Sequence, residues 1–272
     1  MWIALLIILL LLAAYVFMLM PRLPRRSIAH LKAKYFAHRG LWDENMPENS
    51  LSAFQAAVDA GYGIELDVHL TKDGHLVVHH DDSTKRLCGV DYVISQTDLQ
   101  TLRTCQLHDS GETIPTFDEV LEVVDGKVPL MVEVKVEKNV DALCSTLWER
   151  LKAYDGPLCM ESFDPRAVSW FRKNAPQVIR GQLAFNHTRV QRGATPAKRR
   201  LNLFIASMFQ NVIARPDFIS YEAATESPHS VPMNIIRLFR PHMACWTIRS
   251  KEELEAAKNR YDLFIFEGFR PL

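Results

Sequence analysis

The chain has 272 residues, 24% of them charged, and its 32 Lys and Arg are matched by 32 Asp and Glu. A formal net charge of zero leaves no electrostatic footprint for nucleic acid or another acidic polymer, so specificity has to be built locally. Cys88, Cys105, Cys144, Cys159 and Cys245 are odd in number, widely spaced and without a CxxC pair, which argues against a disulfide framework or a zinc ribbon and for reduced thiols.

The first element is an apolar run, 1–20, that contains no charged residue. At ~1.5 Å per residue, such a run just spans a ~30 Å hydrocarbon core. No basic side chain precedes it and no small-x-small cleavage site follows, so it reads as a transmembrane anchor rather than a cleaved signal peptide. A basic juxtamembrane linker, 21–33, follows with Arg22, Arg25 and Arg26. The positive-inside bias puts that flank, and the domain beyond it, on the cytoplasmic side of a single-pass membrane protein.

From residue 34 to 272, short β-like runs alternate with helical patterns, as expected of one α/β domain with a parallel sheet. The predicted strands are 34–38, 62–68, 129–135, 157–161, 178–183, 217–221, 242–247 and 262–266. Eight such strands predict a closed, TIM-type β/α barrel. The first helix begins after Ser50 as N-cap, with Leu51, Phe54, Ala57 and Val58 on one face. Further helices are expected near 139–153, 165–174, 231–239 and 251–259. About sixty residues separate the second and third barrel strands, too many for one βα connection, so a small insertion is placed within 69–114, starting with a β-like run at Leu76. In the irregular stretch 184–216, basic Lys198, Arg199 and Arg200 precede apolar Leu201–Phe209, read as a helix packed on the barrel rather than a membrane-surface contact.

Chemistry concentrates at strand ends. In the second strand Ile64, Leu66 and Val68 share one face, and Glu65 and Asp67 share the other, about 7 Å apart. The apolar face meets the helices of a barrel, so both carboxylates point inward near the C-terminal end, where barrel enzymes carry their sites. The third strand repeats this polarity, with Glu133 and Lys135 opposite Val132, Val134 and Val136. Three inward carboxylates are costly without compensation. A single hard divalent cation, Mg²⁺ or Ca²⁺, is the simplest one for an all-oxygen donor set. His38 ends the first strand, and His79 and His80 close the run from Leu76, which makes histidines at these two strand ends candidates for general acid and base. Arg39 and Lys135 supply positive charge suited to phosphate.

The ordered set HRG (38–40), PENS (47–50), ELDVHLTKDG (65–74), VVHHDD (77–82) and VEVK (132–135), with looser SFDP (162–165) and WT (246–247), resembles the glycerophosphodiester phosphodiesterase family over most of 34–272. The resemblance implies metal ligation by Glu65, Asp67 and Glu133, catalysis by His38 and His80, and phosphate or substrate binding by Arg39, Lys135 and Trp246. It makes Glu48 and Asn49 supporting residues and puts His79 at the family's aromatic position. The implied activity is hydrolysis of a glycerophosphodiester, or a lysolipid-like substrate, to glycerol 3-phosphate and an alcohol. A phospholipase D or sphingomyelinase D-like activity is the nearest rival, and a catalytically weak, membrane-tethered binding or regulatory domain is the rival from a different class. Two segments depart from the family pattern: Lys85–Cys88 after HDD, and FIFEGF at the last strand, where an Asp-containing end is common.

Overall fold

Nine strands alternate with helices in the computed structural model, which describes residues 1–187 and 195–271. Residues 188–194, inside the irregular stretch, and residue 272 lie outside the described residues. The strands are β1 (Tyr35–His38), β2 (Gly63–Leu70), β3 (Leu76–Val78), β4 (Leu130–Val134), β5 (Leu158–Ser162), β6 (Ile179–Ala184), β7 (Phe218–Glu222), β8 (His242–Ile248) and β9 (Leu263–Phe266). All except β3 run parallel in the order β1-β2-β4-β5-β6-β7-β8-β9, and β9 pairs back onto β1 to close the barrel. Each predicted barrel strand is present, with ends displaced by at most a residue or two.

Helices α1 (Trp2–Leu19), α2 (Leu51–Asp59), α3 (Lys85–Cys88), α4 (Leu99–Leu102), α5 (Phe117–Val124), α6 (Val140–Leu151), α7 (Pro165–Asn174), α8 (Pro196–Ser207), α9 (Asn211–Ala214), α10 (Val231–Leu238) and α11 (Lys251–Ala257) complete the chain. The Ser50 side chain accepts a hydrogen bond from the Ala53 N–H, the expected N-cap of α2. Outward-facing Ile64, Leu66, Val132 and Val134 are buried between sheet and helices. The insertion leaves β2 through antiparallel β3, and with α3 and α4 it encloses its own small core of Val77, Leu87, Ile94, Leu102, Leu107 and Ile114.

The base of the barrel interior is apolar. Leu31, Phe36, Met131, Cys159, Ile179 and Phe218 fill it. A Cβ at Gly63 would stand 2.7 Å from the Phe36 ring, and one at Gly181 would stand 2.3 Å from Phe218, so glycine at these two inward positions makes room for the two rings.

Residues 19–31 are fastened to this base. The Arg22 N–H donates to the Pro216 carbonyl at 2.9 Å, and Arg22 and Arg26 lie 3.7 and 3.6 Å from Asp217, which also holds buried Arg180 at 3.2 Å. Asn211 donates to the Leu19 carbonyl at 2.8 Å, and Arg215 donates to the Phe17 and Met20 carbonyls. The earlier part of α1, through Ala14, is exposed. The helix expected after Arg200 forms as α8, but it packs on the barrel by a narrower stripe than its sequence suggests. Asn202 and Ile205 are buried, whereas Leu201, Leu203 and Phe204 face outward.

Candidate active site

The C-terminal strand ends turn the barrel interior from apolar to charged. Glu65, Asp67 and Glu133 are buried on β2 and β4, with Asp67 directly opposite Glu133 in the parallel register. One oxygen from each of the three lies within 4.8 Å of the others. Burial pushes Glu65 well above the usual carboxylate range, reinforced by repulsion from Asp67, Glu133 and Glu161. Burial also raises Glu133, against the pull of Lys135. Asp67 goes the other way: burial opposes ionisation, but Lys135, His80, Arg39 and an Asn49 amide donor at 2.9 Å hold it ionised. The Lys135 ammonium stands 2.9 Å from Asp67 and 2.8 Å from Glu133, and these partners raise its pKa despite burial. Three buried carboxylates that repel one another, all hard oxygen donors converging within ligand distance, fit a hard divalent cation.

The loop after β1 supports this cluster from behind. Arg39 and Asn49 both have positive φ, 58° and 57°. The Arg39 N–H donates to Glu65 at 3.2 Å, its guanidinium donates to Glu48 at 2.7 Å, and its Nε lies 3.6 Å from Asp67. The Asn49 N–H in turn donates to the Arg39 carbonyl at 2.8 Å. Glu48 also accepts from Arg86 at 2.6 and 3.0 Å, and Arg86 reaches Asp81 at 2.6 Å.

Both expected histidines line one cavity of about 160 Å³ together with Arg39, Glu65, Glu133 and Lys135. His38 Nδ1 is 2.5 Å from Glu267, while its Nε2 lies 4.0 Å from Glu65. His80 Nδ1 is 2.7 Å from Asp81. Each ring thus has one nitrogen fixed by a carboxylate. Burial lowers the pKa of both histidines, partly countered at His38 by Glu267 and at His80 by Asp67. Adjacent His79 is fully buried and turned away, its Nε2 3.3 Å from the Ser83 carbonyl. Trp246 lines the cavity edge-on to Phe163 at 5.7 Å, and Phe163 also meets Phe185 at 5.5 Å. All ten residues singled out in the sequence therefore fall in the cavity or directly behind it.

Five further residues, Glu267, Arg249, Arg86, Asp81 and Glu161, belong to this arrangement. Glu267 sits in the divergent FIFEGF end and closes on His38 because β9 pairs with β1; Arg249 holds it at 2.8 Å. Against burial, the His38 contact keeps Glu267 at about 2. Arg86 lies in the other divergent segment and joins Glu48 to Asp81, which it and His80 hold at about 2 despite burial. Glu161 faces the cavity from β5 beside Glu133, with one carboxylate oxygen lacking a partner, and burial together with Glu133 pushes it up to about 8. The signal for Glu161 and Glu267 was the same alternation that placed Glu65: Cys159 and Glu161, and Ile265 and Glu267, share an inward face.

The sequence profile of the glycerophosphoryl diester phosphodiesterase family matches residues 38–257. Human lysophospholipase D GDPD1 is 35% identical over 146 residues, 49% of this chain and 45% of the human protein, so the chain spans less than half of that relative's length. A glycerophosphodiester phosphodiesterase of Caldanaerobacter subterraneus subsp. tengcongensis is 32% identical over 165 residues, 56% of this chain and 67% of that protein. Among solved structures, an Oleispira antarctica phosphodiesterase in complex with its product sn-glycerol-3-phosphate superposes with a TM-score of 0.68 at 24% identity, covering 86% of this chain and 92% of that one. At that identity the likeness establishes the barrel fold.

Proposed function

Because the chain belongs to the glycerophosphoryl diester phosphodiesterase family, we propose that it hydrolyses a glycerol-linked phosphodiester to glycerol 3-phosphate and an alcohol. The observation that carries this reading is the pairing of two carboxylate-braced histidines in one cavity with a buried carboxylate trio, of which Glu65 and Glu133 line that cavity. Glu65, Asp67 and Glu133 would hold one Mg²⁺ or Ca²⁺ ion. Such an ion polarises phosphoryl oxygens and offsets the charge that grows in the transition state.

The chain's own residues supply the rest. Arg39 and Lys135 bring positive charge to the phosphate, and the Trp246 indole bounds the substrate's far side. Burial favours neutral imidazoles at His38 and His80. An arriving phosphodiester anion favours protonation of one of them, giving an acid for the leaving alkoxide while the neutral partner accepts a proton from the attacking hydroxyl. Glu267 and Asp81 hold the two rings in orientation for this exchange. The aromatic rim of Phe163, Phe185 and Trp246 suits an alcohol with an apolar portion, so a lysolipid-like diester is included in the substrate class. Exposed, apolar α1 would anchor the chain in a membrane with the barrel on the cytoplasmic side, the orientation favoured by Arg22, Arg25 and Arg26.

The test is a panel of water-soluble and lysolipid diesters incubated with the full chain in Mg²⁺, Ca²⁺ or chelator, with products identified. Cation-dependent release of glycerol 3-phosphate is expected. A cyclic or phosphorylated-lipid product would favour the sphingomyelinase D-like alternative, and binding without turnover of any diester would favour a regulatory domain.

A further inference from the structure

Exposed apolar surface on the barrel is unevenly distributed. Leu201, Leu203 and Phe204 on α8 and Val212 and Ile213 on α9 all face outward, Leu203 with 58% of its surface exposed. Neighbouring α10 exposes Val231 and Leu238 as well. Outside Met1, α1 and these three helices, the large exposed apolar side chains among the described residues are only Leu23, Val90 and Tyr92. Two of the three helices bearing this surface, α9 and α10, also pack against α1.

That docking is specific. Tyr15 meets Phe209 edge to face at 5.8 Å, the Arg215 guanidinium lies 4.2 Å from the centre of the Phe17 ring, and Asn211 and Arg215 donate to carbonyls at the C-terminal end of α1. A membrane entered by α1 therefore has to begin close to α9. Charge agrees with this placement. Lys198, Arg199 and Arg200 are exposed at the start of α8, and the sequence from 188 to 216 contains no Asp or Glu. Outward apolar side chains with flanking cations and no carboxylate are the composition of a helix lying in an anionic headgroup layer.

We infer that the α8–α9 face is a second membrane contact, seated in the headgroup and upper acyl region of the bilayer that α1 enters, with anionic phospholipid as its partner. This rests on the anchor reading of α1 and deepens the proposed activity. The connection into α8 leaves the C-terminal end of β6, where Leu183 lines the catalytic cavity and Phe185 touches Phe163. In sequence, the face that meets lipid thus follows the strand that lines the site. Seating that face on a bilayer raises the encounter of the site with a membrane-borne diester, whereas a water-soluble diester gains nothing from the contact.

The full chain is reconstituted in phosphatidylcholine and phosphatidylglycerol vesicles that contain a spin-labelled lipid. A polarity-sensitive fluorophore is attached at Phe204→Cys or Ile213→Cys, and at Gln55→Cys on α2 across the barrel, with the unsubstituted protein as the blank for native thiols. Labels at 204 and 213 should be quenched at least about twofold more than the label at 55. In parallel, the Phe204→Asp/Ile213→Asp variant should lose about tenfold in turnover of a vesicle-borne lysophospholipid while its turnover of a soluble glycerophosphodiester is unchanged. Alkaline carbonate extraction reports on α1 separately. Retention of the protein with equal quenching at all three positions would overturn the α8–α9 contact and leave the anchor standing, whereas release would overturn both. Absence of soluble-diester turnover in the unsubstituted protein would strike the phosphodiesterase reading without altering the depth measurement.

Discussion

The two ends of the barrel interior are built from the same strands, two residues apart. On β1, Phe36 fills the base and His38 the mouth; β4 places Met131 below Glu133, and β5 places Cys159 below Glu161. On the β9 side, Ile265 lies below Glu267. A step of about 7 Å along a strand keeps the side chain on the inward face. It thus carries the interior from a sealed apolar plug to a cluster of opposed charges. The base lets the mouth be charged. With water excluded from below, electrostatic interactions among the mouth residues are less screened than in solvent, which makes both their repulsion and their attraction for a cation stronger.

Exchanging chemistry at one end should leave the other end intact. Glu65→Gln, Asp67→Asn and Glu133→Gln are each expected to lower turnover by on the order of 10³-fold and to raise the cation concentration needed for half-maximal activity, with small changes in folding. At the base, Met131→Ala should cost about 2–5 kcal/mol of stability through a cavity, with cation affinity unchanged. Cation titration and urea unfolding of the four variants measure both quantities. If the carboxylate variants bind the cation as the parent does, or if Met131→Ala weakens cation affinity as much as they do, the division between the ends is wrong.

The histidines should show the next largest effect. His38→Ala and His80→Ala are expected to lose at least ~10²-fold in turnover, the usual scale for a general acid or base. His79→Ala should lose far less, because its side chain is turned from the cavity toward the Ser83 carbonyl. Equal, severe losses in folded His79 and His80 variants would break the distinction. Glu267→Gln is a milder change. It keeps a hydrogen-bonding group near His38 but removes the charge that raises its pKa, so the pH profile limb governed by His38 should move to lower pH whether that ring acts as acid or base. An unmoved profile would mean that His38 does not govern the observed limb.

The contrast between the ends also explains what could be read from sequence. Period-two alternation identified the inward faces of β2 and β4, and therefore Glu65, Asp67 and Glu133, because the outward residues of those strands are β-branched or Leu. It could not give partners across the barrel. Glu267 meets His38 across 229 positions of sequence, through the closure of β9 on β1, and Arg86 reaches Glu48 across 38 from an inserted loop. Both lie in segments that depart from the family motif, where motif matching gave no guidance. On the outer surface, the apolar run after Arg200 was read as barrel packing, yet only part of it is covered. Composition records that a side chain is apolar; whether a neighbouring helix reaches it is decided by the tertiary arrangement.

The smallest expected effect comes from the single-residue step between His80 and His79, where the first ring faces the cavity and the second is sealed in protein. Burial, with a further contribution from His69, pushes His79 down to about 4 from an ordinary 6.5. Between those values the unfolded chain binds a proton that the folded chain does not, so stability falls as the pH drops below about 6.5 and the effect levels off below about 4. The whole shift corresponds to at most about 3 kcal/mol. Phenylalanine, the aromatic type implied for this position by the family resemblance, cannot take up that proton. His79→Phe should therefore flatten the loss of stability between neutral pH and pH 4, measured as the difference in urea unfolding free energy at the two ends of that range, while turnover at neutral pH changes little. Parallel stability curves for parent and variant would show that His79 is not a buried neutral group.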